Sequence, residues 1–115
     1  MAGALKGIRI IDLTSMISGP SATMILGDQD AEIIKIENTS VGDYTRLVST
    51  QRSGISAAYL NNNRNKKSVC IDLKAEEGKN ILKKLIGTAD VLVQNFRPGV
   101  MDRFCLLYTS DAADE

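Results

Sequence analysis

Short apolar runs separated by polar turns recur along the chain. "IRIIDL", residues 8–13, is dense in isoleucine, the pattern of a strand that a parallel sheet buries on both faces. "TSMISGPSATMILGDQ" then changes period. Pro20 stands at a first-helical position, and Ala22, Ile25 and Leu26 fall at helical spacing, which predicts a short helix. "AEIIKIE", residues 31–37, returns to the strand pattern across a connection as short as compact helix-to-strand joints usually are, and closes a βαβ unit.

Residues 38–56, "NTSVGDYTRLVSTQRSGIS", hold no sustained period and predict a long functional loop or an excursion from the sheet. "SVCIDL", residues 68–73, predicts a third strand. "KAEEGKNILKKLIG" predicts a helix whose charges suit its dipole, with Glu76 and Glu77 at the start, Lys83 and Lys84 near the end, and Gly87 as the cap. Ile81, Leu82, Leu85 and Ile86 form its apolar stripe, and "DVLVQN", residues 90–95, predicts another buried strand. Strand and helix alternate throughout, so the fold class is α/β with a parallel sheet.

Composition narrows the function classes. The 115 residues, 43% of them hydrophobic, suffice for one domain with a real core. The 14 basic and 14 acidic side chains cancel, which argues against nucleic acid or an anionic membrane as partner. No run of 18 apolar residues and no charged-then-apolar leader is present, so the expected location is the cytoplasm. Histidine is absent, which removes Ser/His and Cys/His nucleophile pairs and histidine metal sites. Cys70 and Cys105 lack CxxC spacing and read as reduced core residues, so no metal is expected.

Ligands of parallel α/β sheets gather beyond the carboxyl ends of the strands, and three such ends carry candidate chemistry. "TSMISGPSAT" feeds small residues into a helix N-terminus able to hold an anion, although Gly19 and Pro20 also serve simply to shape a turn. "NNNRNKKS" clusters Arg64, Lys66 and Lys67, a set that can position phosphates or act as a solvated turn. "NFRPGVMDR" offers donors at Asn95 and Arg97, a stacking face at Phe96, and Gly99 for close backbone approach, or else a Pro-Gly turn leading to a helix.

In this order, "LKGIRIIDLT", "GPSATMILGD", "AEIIKIE", "GDYTR", "NRNKKSVCIDLK", "EEGKNIL" and "ADVLVQNFRPGVMDR" resemble the class III CoA-transferases, a family that includes formyl-CoA:oxalate and carnitine CoA-transferases and α-methylacyl-CoA racemases. The resemblance covers residues 5–104 and implies a Rossmann-like domain that binds coenzyme A. It places CoA contacts at Ile17 and Ser18, at Ile71 and Lys74, and at Asn95, Phe96, Arg97 and Arg103. It further implies transfer of CoA from an acyl-CoA to a small carboxylic acid in an intertwined homodimer. An aspartate attacks the thioester to give a mixed anhydride, the freed CoA converts that to an aspartyl-CoA thioester, and the acceptor acid completes the exchange. The family's aspartate lies downstream of these blocks, so no catalytic residue is assigned to this chain. A racemase using downstream acid/base residues is the alternative within the family; a CoA- or nucleotide-binding module or scaffold without chemistry is the alternative outside it.

Two positions depart from the family pattern. Asn38 stands where some members carry an arginine directed at the nucleotide end of CoA, and Asp30 stands where the pattern has a glycine of expected positive φ. The closing "CLLYTSDAADE" resembles a translated sequencing adapter, so the expected organisation is a partial CoA-binding domain over residues 1–104 and a non-native tail over 105–115.

Overall fold

The computed structural model describes residues 2–104, and the expectations for Cys105 and the tail fall outside them. Four strands form one parallel sheet in the order β5-β2-β1-β6: β1 is Arg9–Asp12, β2 is Glu32–Glu37, β5 is Lys66–Cys70 and β6 is Val91–Val93. Between β1 and β2 runs α1, Ser18–Asp28; between β5 and β6 runs α3, Glu76–Ile86; and α4, Val100–Arg103, follows β6. The segment after β2 is an excursion, as its lack of period implied. It contains a 3₁₀ turn at Tyr44–Leu47, a small antiparallel ladder of β3 (Gln51–Arg52) with β4 (Ile55–Ser56), and α2, Ala57–Asn62. Ser53 and Gly54, both at positive φ (53° and 76°), make the two-residue hairpin turn that suits a twisted ladder.

Alternation along the strands divides the core in two. Ile11, Leu13, Ile34 and Ile36 face one way and pack with Ile71, with Leu82 of α3 and with Met101 of α4. Ile10 and Ile33 face the other way and pack with Ala31, Leu26 and Val93. On that second face the next paired residues toward the strand ends are Asp12 and Lys35, so an apolar layer gives way to charges that are fully buried.

The structure corrects several local expectations. The third strand runs from Lys66 to Cys70 rather than over 68–73, and among the described residues both it and β6 are edge strands. Cys70 is therefore exposed, and Val91 of the "buried" strand is 42% exposed. In α1 the buried residues are Pro20, Thr23 and Gly27, whereas Ala22 and Ile25 face solvent. Small residues let this helix approach the sheet closely, since a Cβ on Gly27 would sit 3.2 Å from Ile33 Cγ1. Pro20 is the third residue of α1. Asp30 does adopt positive φ, 75°.

Candidate functional site

The carboxyl ends of β1, β2 and β5 and the segment after β6 enclose one cleft of about 340 Å³. Its apolar lining includes Leu13, Ile36, Ile71, Leu73, Phe96, Val100 and Phe104, and its polar lining includes Thr14, Ser15, Asn38, Asp72 and Lys74. Phe96 and Phe104 meet edge to face, with centroids 5.9 Å apart. A mostly apolar concavity with a few convergent polar groups is the usual form of a small-molecule site, and it lies where parallel sheets place their ligands.

Ile71, Lys74 and Phe96 line this cleft together. Asn95 sits beside it and staples the end of β6 to the β1–α1 loop, accepting from Ser15 N at 3.2 Å and donating to Ser15 O at 2.9 Å. Ile17 and Ser18 are exposed at the start of α1, where Ile17 occupies the capping position and no side chain caps the helix. They lie outside the cleft lining, as do the exposed Arg97 and Arg103. Gly99 adopts φ 89° with nothing near the place a Cβ would take, so it is the turn into α4 that requires glycine.

The basic cluster does not reach the cleft. Arg64 grips Asp28 at 2.7 and 3.1 Å, and Lys67 meets Glu32 at 2.9 Å. Lys66 is buried against Asp12 at 3.0 Å and also donates to Pro20 O and Asn63 Oδ1. Burial pushes its ammonium below the usual lysine range, against the pull of Asp12. Asp12 accepts in addition from Thr14 N at 2.8 Å, from the Thr14 hydroxyl, and from Thr23 Oγ1 at 2.6 Å. Every acceptor direction of that carboxylate is occupied, which leaves it no freedom to act as a nucleophile.

A second buried charge network went unassigned in the sequence. Lys35 Nζ donates to Asp43 Oδ2 at 2.7 Å and to Thr14 O at 3.1 Å, and both side chains of the pair are 0% exposed. Glu37 accepts five hydrogen bonds: Asp43 N at 2.7 Å, Arg46 Nε and Nη2 at 2.8 Å each, Tyr59 Oη at 2.9 Å and Ser68 Oγ at 2.5 Å. Arg46 also lies 3.8 Å above the Tyr59 ring. Burial alone would raise the Glu37 carboxyl, but Arg46, Ser68, the Asp43 amide and Tyr59 together hold it well below the usual carboxylate range. Asp43 follows the same logic, with Lys35 and Thr45 outweighing burial. The available signal was a lysine and a glutamate inside the apolar run "AEIIKIE", followed by the acid and base of "GDYTR".

Asn38, the departure at the end of β2, organises its own loop. Its Oδ1 accepts from Ser40 N, Val41 N and Gly42 N at 2.9–3.0 Å, and its Nδ2 donates to Gly42 O at 3.1 Å. Of the carboxylates lining the cleft, Glu37 and Asp43 are thus committed to the fold and Asp72 is exposed.

The family model described as CoA-transferase family III matches residues 5–113. This chain belongs to that family. The match takes in residues 105–113, within the segment set apart on sequence. Among the relatives of this family III chain, the formyl-CoA:oxalate CoA-transferase of Rhodopseudomonas palustris is 44% identical over 104 residues, which cover 90% of this chain and 24% of the relative. The human succinyl-CoA:glutarate CoA-transferase is 44% identical over 105 residues, with the same two shares. A CAIB/BAIF family protein from Brucella suis superposes with a TM-score of 0.85 at 31% identity, covering 92% of this chain and 29% of its own. The family III chain spans about a quarter of the length of the curated relatives it matches.

Proposed function

We propose that this chain is a CoA-binding part of an enzyme that transfers CoA from an acyl-CoA thioester to a small carboxylic acid. The observation that supports it is the cleft at the strand ends, in which Lys74, Ile71 and Phe96 converge. Phe96, fixed edge-on by Phe104, offers a flat apolar face of the kind adenine stacks on. Lys74 offers a cation for phosphate, and the small residues of the β1–α1 loop offer backbone along a pantetheine arm. Ile17, Ser18, Asn95, Arg97 and Arg103 complete the proposed contacts, arrayed around the cleft rather than within it.

In this reading residues 1–104 form part of a Rossmann-like CoA domain, residues 105–115 are not native to it, and the whole protein works as an intertwined homodimer in the cytoplasm. Transfer proceeds through an aspartyl anhydride and an aspartyl-CoA thioester, with the aspartate supplied outside this chain. Each exchange forms one acyl bond and releases one thiolate or carboxylate, so no external reductant or oxidant is consumed.

Titration calorimetry with CoA tests the binding claim. Lys74→Ala and Phe96→Ala should each weaken CoA by about five- to tenfold, the loss of one charge-assisted contact or one stacking face. A folded chain that ignores CoA, or two variants that bind it like the parent, would overturn the site. For a polypeptide of the relatives' length, label exchange between acyl-CoA and free acid is the expected activity. Proton exchange at the substrate α-carbon without CoA transfer would assign the racemase alternative instead.

A further inference from the structure

We propose that Asp43 and Lys35 are positioning residues that lock the two walls of the cleft together; the inference rests on the CoA reading for its ligand. One wall is the β1–α1 loop, which lends Thr14 and Ser15 to the cleft; the other is the excursion after β2, which lends residues 41–44. Asp43 spans them. Its Oδ1 accepts from Met16 N in the first wall at 3.1 Å and from Thr45 N and Oγ1 in the second at 2.9 and 2.8 Å. Lys35 spans them as well, since its ammonium meets Thr14 O in the first wall and Asp43 Oδ2 in the second.

Neither side chain can touch a ligand, because both are 0% exposed. Their effect must pass through the loops they hold. The loop that needs holding is the first, where Met16 adopts φ 73° although it carries a side chain. A non-glycine residue in that conformation persists only when its surroundings over-determine it. The bond from Met16 N to Asp43 is the contact that fixes it, and the next residues are Ile17 and Ser18, where α1 begins. The pair therefore sets the direction in which the helix entry faces the cleft.

The test uses the 115-residue chain. In the unmodified protein the Met16 amide should be protected from hydrogen exchange, with the intense intraresidue HN–Hα NOE of a left-handed φ. Exchange at the rate of an open loop would overturn the clamp without any variant. Asp43→Ala removes both the acceptor of Met16 N and the partner of Lys35, and should raise the CoA Kd about tenfold. Adding Met16→Gly, which adopts positive φ unaided, should recover about threefold of that loss, a rescue that a general loss of stability would not give. An unchanged Kd in Asp43→Ala, or no recovery with glycine, would refute the proposal. If the parent chain fails to bind CoA, the CoA reading falls by itself. The intraresidue HN–Hα NOE of Met16 in Asp43→Ala then still decides the clamp: a weakened NOE supports it and an unchanged one overturns it.

Discussion

Replacing Glu37 by glutamine tests the claim that the end of β2 is held by charge rather than by shape. The carboxylate is 1% exposed and its partner Arg46 is 42% exposed. An amide nitrogen in place of Oε1 would face two fixed donors, Asp43 N and Arg46 Nε. In place of Oε2 it would meet Arg46 Nη2 and the hydroxyls of Ser68 and Tyr59, which can rotate to accept. The second placement wins, so the variant loses the ionic bond to Nη2 and the negative charge. Breaking a buried ion pair costs about 3–5 kcal/mol, and water access to Arg46 lowers that to about 2–3 kcal/mol here. For a domain of this size that corresponds to a fall of about 10–20 °C in Tm.

Urea unfolding followed by circular dichroism, at neutral pH and in acid, is the assay. Because the folded-state pKa of Glu37 lies below its ordinary value, its stabilisation is fully present above about pH 4.3 and fades as pH drops toward the folded value. The gap between parent and Glu37→Gln should therefore be widest at neutral pH and shrink in acid. A gap under about 1 kcal/mol, or one indifferent to pH, would refute the reasoning, since a surface pair is worth no more than that.

Two backbone substitutions probe the scaffold by the same unfolding measurement. A Cβ on Gly78 would collide with the Asp72 carbonyl oxygen and crowd Ile71, so Gly78→Ala should cost about 2–3 kcal/mol; a negligible loss would mean that α3 is not seated there. Asp30→Gly relieves φ 75° and should gain about 0.5–1 kcal/mol even after losing the exposed bond from Gly3 N; a net loss would show that this bond outweighs the strain.

The isoleucine runs at β1 and β2 were legible because both strands lie inside the sheet, where burial on two faces leaves an unbroken apolar signature. Edge positions were not legible. Val91 and Val69 carry the same residue type, yet strand order is set by crossovers that no local window contains. The face of α1 was misjudged for a physical reason: Thr23 is buried because its hydroxyl reaches Asp12, and Gly27 because it lacks a side chain. Hydrophobic periodicity sees neither. The basic cluster was visible as a cluster, but its partners Asp28, Asp12 and Glu32 stand 35 to 54 residues away in the chain. Lys74 and Phe96 could be found from strand ends and resemblance, while the Lys35–Asp43 pair could be recognised only once the sheet brought the two walls together.

The loop built by Asn38 has one further consequence. Three successive backbone N–H groups turned toward a single point form a nest, a concavity that commonly collects phosphate or another anion. Here the chain's own amide oxygen already sits in it. The rim beside β2 is thus a self-filled nest, and an incoming phosphate would be met there by side-chain cations such as Lys74 instead of by backbone. Attraction of that kind is screened by salt, so the affinity of a phosphate held that way would track ionic strength more steeply than in a backbone cradle.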